Sequence, residues 1–162
     1  VQMLTIPGEA ITMLRRMDIG KVLVPVSGNH VDAEVIRIAC DLASENSAAV
    51  HAVYVLEIER SLPLEVSSEQ QTARAEEILG RAQSLARERG YEIETGILLA
   101  REAGPAIVHE ATEGRADLIV IGVGPRRRPG AFEFGDTVSH VLRDAPCNVL
   151  LFRAASAAEE PE

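Results

Sequence analysis

The alternation of two hydrophobic patterns along the chain constrains the fold more than any other feature of the sequence. Short runs rich in β-branched residues, such as KVLVPV at 21–26 and ADLIVIG at 116–122, are almost continuously apolar, which is typical of strands buried in a parallel sheet. Longer runs between them place apolar residues at helical spacing. Five strands alternating with four helices predict a Rossmann-like α/β fold, a three-layer sandwich around a five-stranded parallel sheet.

The predicted elements cover most of the chain. The third strand, YEIETGILLA, alternates apolar and polar residues and is therefore predicted to lie at an edge of the sheet. The second helix is rich in Ala, Glu, Arg and Gln and is predicted to stop at Gly90. The predicted strands are 21–26, 48–57, 91–100, 116–122 and 147–153, and the predicted helices are 31–45, 67–89, 104–113 and 136–143.

The composition excludes several classes of ligand. A chain of 162 residues fits one domain with a substantial core. A net charge of −9 and an aromatic content of 3% argue against nucleic acid as a partner, because binding it needs a basic surface or stacking side chains. No apolar run reaches the roughly 18 residues of a spanning helix, and no secretory signal is visible. We therefore expect a cytoplasmic protein without direct membrane insertion. Cys40 and Cys147 lack metal-site spacing and are interpreted as small apolar residues.

The two ends of the chain differ from its central part. Residues 1–17 contain a short amphipathic stretch and are interpreted as an N-terminal extension or as the connector from a preceding domain. Residues 18–153 are predicted to form the folded domain. Residues 154–162 are small and acidic, and we expect a flexible tail there.

Two loops are expected to face the crevice in which such sheets bind ligands, beyond the carboxyl ends of the strands where the winding direction switches. One loop is SGNH, after the first strand, and the other is IGVGPRRRPGAFEFGDT at 121–137, after the fourth. The second loop combines glycines and prolines with three consecutive arginines. Backbone N–H groups that converge near a helix start, next to positive charge, indicate a seat for phosphate.

Three segments give the chain its resemblance to a known family. KVLVPVSGN, ADLIVIGVG and FGDTVSHVLRDAPCNVLLFR together resemble the universal stress protein family, and the similarity covers residues 18–153 in the same order. The resemblance implies a homodimer, built in many members through the last strand, here Asn148–Arg153. It also implies membership of one of two groups, nucleotide binders or members that do not bind ATP.

The nucleotide pocket that the resemblance implies is altered at three places. Binders carry an aspartate after the first strand, where this chain has Ser27. They also carry a glycine, two residues, a second glycine, nine residues, and then glycine followed by serine or threonine. Counting back from Gly135, the first glycine is Gly122, but the second falls on Pro125, and the hydroxyl position falls on Asp136. The candidate, degenerate nucleotide pocket comprises Val26, Ser27, Gly122, Gly124, Gly130, Gly135, Asp136 and Thr137.

The departures weaken a phosphate site for physical reasons. Pro125 has no N–H to donate. Asp136 is expected to act as a helix N-cap that accepts first-turn N–H groups, worth about 0.5–2 kcal/mol. A phosphate about 4–6 Å from that carboxylate would meet a repulsion of about 3–4 kcal/mol before screening, a loss of about two to three orders of magnitude in affinity. The arginines, interpreted as solvated, would offset part of this repulsion. The alternative is a bulged loop with Gly124 as the second glycine and Thr137 as the hydroxyl.

No catalytic or metal site is predicted from the sequence. His30 and His140 lack the spacing of a metal site or a catalytic dyad. Ser27, His30 and Asp32 supply a hydroxyl, an imidazole and a carboxylate, but catalytic triads are usually assembled from separate elements of the fold. SGN is instead interpreted as a turn and helix start.

The predicted function is that of a universal stress protein-like regulatory or stress-response domain, not an enzyme. It is expected to act through dimerisation and contacts with an unidentified protein partner, with ATP binding weak or lost and no cofactor. Two alternatives stay open. One is a nucleotide-binding member with a remodelled phosphate loop for ATP, AMP or a cyclic nucleotide, with slow ATP hydrolysis. The other is a soluble regulatory domain of a larger, transporter-type protein.

Overall fold

A computed structural model describes residues 18–124 and 135–155 of the chain. Within them, five strands form one sheet in the order β3-β2-β1-β4-β5, and every neighbouring pair is parallel. Four helices connect the strands, so the predicted three-layer α/β fold is confirmed. The strands are β1 Lys21–Val26, β2 Ala49–Glu57, β3 Glu94–Ala100, β4 Leu118–Val123 and β5 Asn148–Arg153, and the helices are α1 Val31–Asn46, α2 Glu69–Glu88, α3 Ala103–Glu113 and α4 Asp136–Asp144.

The hydrophobic core has two layers, one on each face of the sheet. Helices α1 and α2 bury their apolar stripes against one face, around Val24, Val35 and Ile78. Helices α3 and α4 cover the other face, around Ile107 and Val141. The central strand β1 is apolar almost throughout because its alternate side chains serve both layers.

Local sequence signals explain where the helices begin and end. Helix α2 begins with a capping box in which Ser68 accepts the N–H of Gln71 while the Gln71 side chain accepts the N–H of Ser68. Gly90 follows the helix with a φ of +73°, a conformation that glycine adopts without a steric penalty. The helix therefore stops where the sequence predicts.

The third strand is the element whose predicted bounds differ most from those observed. β3 lies at the sheet edge, as predicted, but it begins at Glu94 rather than at residue 91. The Tyr91 hydroxyl donates a hydrogen bond to the carbonyl of Ala48, and Ile93 is buried in the core. Tyr91 and Ile93 therefore anchor the segment before the strand without pairing in the sheet.

Two further features bear on predictions made from the sequence. Cys40 is buried in the core, where burial raises the pKa of its thiol, and Cys147 is half-buried, so the two side chains pack as expected of small apolar residues. In the part of the chain that the structure describes, every helix is too short or too polar to cross a membrane. Residues 1–17 and 156–162 lie outside the described residues.

Candidate functional site

The strand order places the candidate site between β1 and β4. The chain winds outward from β1 to β3 on one side and from β4 to β5 on the other, so the direction switches between these two central strands. The loops that leave their carboxyl ends are neighbours. A Cβ at Gly124 would lie 4.0 Å from the side-chain nitrogen Nδ2 of Asn29 and 3.9 Å from Val31 Cγ2. The two loops predicted to face one crevice are therefore adjacent.

The β1–α1 loop, residues 27–30, holds a carboxylate of its own chain. Asp32, in the first turn of α1, accepts the N–H of Ser27 on Oδ1 at 3.1 Å and the N–H of Gly28 on Oδ2 at 2.7 Å. Gly28 has a φ of +85°, which helps turn both N–H groups toward one point. Burial raises the pKa of Asp32, and the two N–H donors act in the opposite direction. These two donors of the crevice loop are thus occupied by the protein itself.

Sequence reasoning missed this role of Asp32. The sequence brings Asp32 to notice only as a carboxylate near Ser27 and His30, which are not expected to form a catalytic triad. The carboxylate does reach Ser27, but it binds the backbone N–H of that residue, which holds the loop in place. An aspartate in the first turn of a helix, shortly after a glycine, was the available signal.

Gly122, predicted as the first glycine of the phosphate loop, lies under helix α1. A Cβ at this position would lie 2.5 Å from Val35 Cγ2 and 2.7 Å from Val31 Cγ1, far inside contact distance. Both valines are buried. A glycine is therefore needed at position 122 for the packing of β4 against α1, whether or not a ligand binds nearby.

The start of helix α4 differs from the prediction in one respect. The N-cap residue is Gly135, and Asp136 is the first residue of the helix. The expectation that Asp136 caps the helix was therefore wrong by one position, and its side chain is exposed. A carboxylate in the first turn still meets the positive end of the helix dipole. Asp136 therefore places negative charge where a phosphate would approach, and Thr137 follows it, half-buried.

A cavity of about 450 Å³ lies between the first turns of α3 and α4. Three carboxylates line it, those of Glu57, Glu102 and Asp136. Glu57, at the end of β2, accepts the N–H of Ala103 on Oε1 at 2.8 Å and so occupies the N-terminus of α3. Thr137 also lines this cavity. The carboxylates of this cavity thus lie at the N-termini of helices α3 and α4.

The basic side chains that line the same cavity, His140 and Arg143, both lie beside the Asp144 carboxylate. His140 Nε2 lies 3.4 Å from Asp144 Oδ2, and the Arg143 guanidinium donates to Asp144 at 3.0 Å. The Arg143 hydrogen bond holds the pKa of Asp144 below its ordinary value. His140 also packs against α3, since a Cβ at Gly104 would lie 2.7 Å from His140 Cβ. His140 is therefore a packing residue of the α3–α4 contact.

The remaining sequence-predicted residues fall in two groups, those at the end of β1 and in the loop after it, and those outside the described residues. Val26 is buried at the end of β1, Ser27 is exposed beside it, and His30 is exposed at the N-cap position of α1. Gly130, Pro125 and the three arginines lie outside the described residues. Within 18–124 and 135–155, the His, Cys, Asp and Glu side chains form no group of three or more that could hold a metal ion.

This fold, with its crevice at the carboxyl ends of two central parallel strands, is a doubly wound α/β domain. The model of the universal stress protein family matches residues 19–153, and the chain belongs to that family. It is similar to the universal stress protein MJ0531 of Methanocaldococcus jannaschii, with 32% identity over 141 residues, covering 82% of this chain and 81% of the relative.

Solved structures from Archaeoglobus fulgidus have the same fold. One universal stress protein of this organism is 27% identical, with a TM-score of 0.71, and the match covers 82% of this chain and 97% of the other. A universal stress protein from the same organism in complex with dAMP is 25% identical, with a TM-score of 0.68, and the match covers 82% and 96% of the two chains. The predicted family and fold are both confirmed.

Proposed function

We propose that this chain is a regulatory universal stress protein domain that acts through a homodimer and protein contacts, without catalytic turnover, and that its crevice binds nucleoside triphosphates weakly or not at all. The observation that carries the second part is the set of carboxylates at the carboxyl end of the sheet. Glu57, Glu102 and Asp136 line one cavity, and Asp32 occupies the β1–α1 loop.

Electrostatics argue against a triphosphate in this setting. A triphosphate needs convergent N–H donors and positive charge, because several unit charges must be held in a small volume. Among the described donors, those of Ser27 and Gly28 bind Asp32, and that of Ala103 binds Glu57. A phosphate would have to displace a carboxylate or approach one. Either event opposes binding, although water and salt screen the exposed groups.

The experiment is a calorimetric titration with ATP and Mg²⁺, run on the wild-type chain and on Asp136→Ser. We expect no measurable heat for the wild type at millimolar ligand. We expect Asp136→Ser to bind at least about tenfold more tightly, because one repulsive charge is gone and a hydroxyl replaces it. Glu113→Ser, a charge-matched control on α3 outside the cavity lining, should leave the affinity unchanged. Micromolar binding by the wild type would refute the proposal.

The proposed homodimer is supported by the character of strand β5. This strand is the sheet edge next to β4, and its central residues are apolar: Val149 and Leu151 belong to one core layer, while Leu150 and Phe152 pack on the other. An edge strand whose central residues are uncharged favours pairing with another strand. Light scattering coupled to gel filtration should give twice the monomer mass. A monomer mass at high micromolar concentration would refute this part.

A monophosphate ligand is a second candidate, favoured by the dAMP complex of the Archaeoglobus fulgidus relative. A nucleoside monophosphate carries less charge than a triphosphate, so the same carboxylates oppose it less. Titration with dAMP and AMP in the same buffer separates the two cases. Binding of dAMP together with no binding of ATP would make the crevice a monophosphate site.

A further inference from the structure

Strand β3 forms the second edge of the sheet, opposite β5. Its hydrogen-bonding direction is fixed by the bond from the Ile58 N–H to the Ala100 carbonyl and by the parallel register with β2. In a parallel ladder, alternate residues bond to the same neighbour. The backbone groups of Gly96, Leu98 and Ala100 therefore point to β2. Those of Thr95, Ile97 and Leu99 point away from the sheet.

Beyond its first residue, Glu94, this edge lacks the features that usually prevent strand pairing. Residues 95–100 contain no charged residue and no proline, and natural sheet edges are commonly blocked by one or the other. Leu99 is 38% exposed, which makes it one of the few large apolar side chains on the described surface. The backbone edge is thus both unpaired within the described residues and apolar.

A groove of about 480 Å³ runs along β3 on the face of the sheet that α3 covers. Leu98 and Ala100 from the strand and Pro105 and Ala106 from the helix line its apolar part. At its rim, the Glu102 carboxylate forms an ion pair with Arg60 at 3.1 Å, and Glu110 Oε1 lies 3.6 Å from His51 Nδ1. This groove fits apolar side chains.

A second groove of about 420 Å³ runs along the same strand on the opposite face, between β3 and α2. Thr95 and Ile97 line it from the strand, and Glu76, Gly80 and Gln83 line it from the helix. A Cβ at Gly80 would contact nothing within 4 Å, so the groove is open at that point. No described residue forms an ion pair with Glu76. This groove fits a side chain with a basic end.

We propose that the β3 edge binds an extended peptide segment of a partner protein in which apolar and basic residues alternate. Successive side chains of a strand point to opposite faces, so a strand added to β3 would send alternate residues into the two grooves. Apolar residues would enter the α3-side groove, and basic residues would enter the α2-side groove beside Glu76. The outward backbone groups of Thr95, Ile97 and Leu99 would complete the ladder.

Charge favours a basic partner over a second copy of this chain. The chain carries a net charge of −9, and a second copy would bring the same Glu76 to the contact. The β3 edge would be the surface through which the protein contacts of the proposed function are made. The proposal rests on the proposed function only in assuming that a protein partner exists. It does not depend on the crevice or on β5, which forms the opposite edge of the sheet.

The test uses three heptapeptides with blocked ends: VRVRVRV, VEVEVEV, and VRVRVRV with alternate backbone nitrogens methylated. Amide hydrogen exchange is followed by NMR on the full chain. We expect VRVRVRV to slow the exchange of the Thr95, Ile97 and Leu99 amides at least about tenfold. The Gly96, Leu98 and Ala100 amides, already bonded to β2, serve as internal controls and should change little. The other two peptides should bind at least about tenfold more weakly, as expected if backbone pairing and basic charge both contribute.

Two variants test the backbone and the groove separately. Thr95→Pro removes an outward N–H without breaking the ladder to β2, and it should weaken VRVRVRV about three- to tenfold. Thr95→Val keeps the N–H and should bind like the wild type. Gly80→Arg places a positive charge in the α2-side groove, where it would repel the arginines of the peptide. The fold tolerates a side chain at this open position, and binding should weaken at least about tenfold.

Four results would overturn the proposal. They are equal binding by the methylated peptide, equal binding by VEVEVEV, unchanged binding by Thr95→Pro, and protection of the outward amides that rises with protein concentration in the absence of peptide. The last result would assign the edge to a second copy. The mass of the same samples, measured by light scattering, reports the β5 dimer independently, so a failed dimer and a failed peptide site are distinguishable.

Discussion

Gly122→Ala tests whether the first glycine of the supposed phosphate loop is kept for packing. The added methyl group would lie 2.5 Å from Val35 Cγ2 and 2.7 Å from Val31 Cγ1, about 1 Å closer than the optimal carbon–carbon separation of roughly 3.5–4.0 Å. Both valines are about 1% exposed, and a β-branched side chain in a helix has essentially one χ1 rotamer. Neither can rotate away, so helix α1 or strand β4 must move.

The expected cost is that of overpacking a closed core, about 1–3 kcal/mol. At about 2–4 °C per kcal/mol for a chain of this size, a cost of about 2 kcal/mol lowers the melting temperature by about 4–8 °C. Urea denaturation followed by circular dichroism measures the free energy of unfolding. It should be run at one protein concentration because a dimer's stability depends on concentration.

Gly80→Ala is the matched control, since it adds the same methyl group in open space within helix α2. Alanine is favoured over glycine in a helix interior by about 1 kcal/mol, so this variant should gain stability. Val35→Ala, added to Gly122→Ala, should recover part of the loss, because the two side chains occupy the same space. If Gly122→Ala is as stable as the wild type, the packing argument fails. If this variant then changes nucleotide binding selectively, the role of Gly122 lies in the phosphate loop and not in packing.

Two carboxylates that hold backbone N–H groups give further predictions. Burial raises the pKa of Asp32 above its ordinary 3.8, so its contribution to stability is full below that value and is lost as pH rises through the folded-state pKa. The quantity to compare is the free energy of unfolding of the wild type minus that of Asp32→Asn, measured by urea denaturation across a pH series. This difference should fall as pH rises from about 3.8, and a rising difference would contradict the prediction. Asp117 Oδ2 accepts the N–H groups of Gly20 at 2.8 Å and Lys21 at 2.9 Å, where β1 begins beside β4. Asp117→Ala should cost about 1–3 kcal/mol and Asp117→Asn less than half of that, measured with guanidinium; equal losses would show that the charge and not the acceptor matters.

The order of strands and helices follows from hydrophobic periodicity, and the structure confirms it. Continuous apolar runs such as 21–26 are typical of strands buried on both faces of a parallel sheet, and the amphipathic runs between them have one face to bury. The start of β3 could not be read in the same way. Ile93 is apolar and alternates correctly, but it is buried without pairing in the sheet. The ladder with β2 begins at Glu94, and Tyr91 contacts Ala48 instead.

The roles of the candidate site residues were less predictable than the fold. A glycine that makes room for a helix and a glycine that turns a phosphate loop look the same in sequence, because the difference at Gly122 depends on where Val31 and Val35 pack. The sequence predicts Asp136 as the N-cap of α4. Gly135 takes that position instead and Asp136 is the first helical residue, since glycine is itself a good N-cap. Local patterns indicate that a residue is special, whereas tertiary contacts decide the reason.

The carboxylates at the carboxyl end of the sheet act together, which affects how the single substitutions should be read. Asp32 holds the loop after β1, Glu57 holds the first turn of α3, and Asp136 lies in the first turn of α4. Each satisfies or shields a donor that a bound phosphate would need, and each belongs to a different element. Removing Asp136 frees only one of these places, so the gain in ATP affinity should be limited to the repulsion of a single charge. A full return of triphosphate binding on that one change would mean that Asp136 alone opposes the ligand and that Asp32 and Glu57 do not face it.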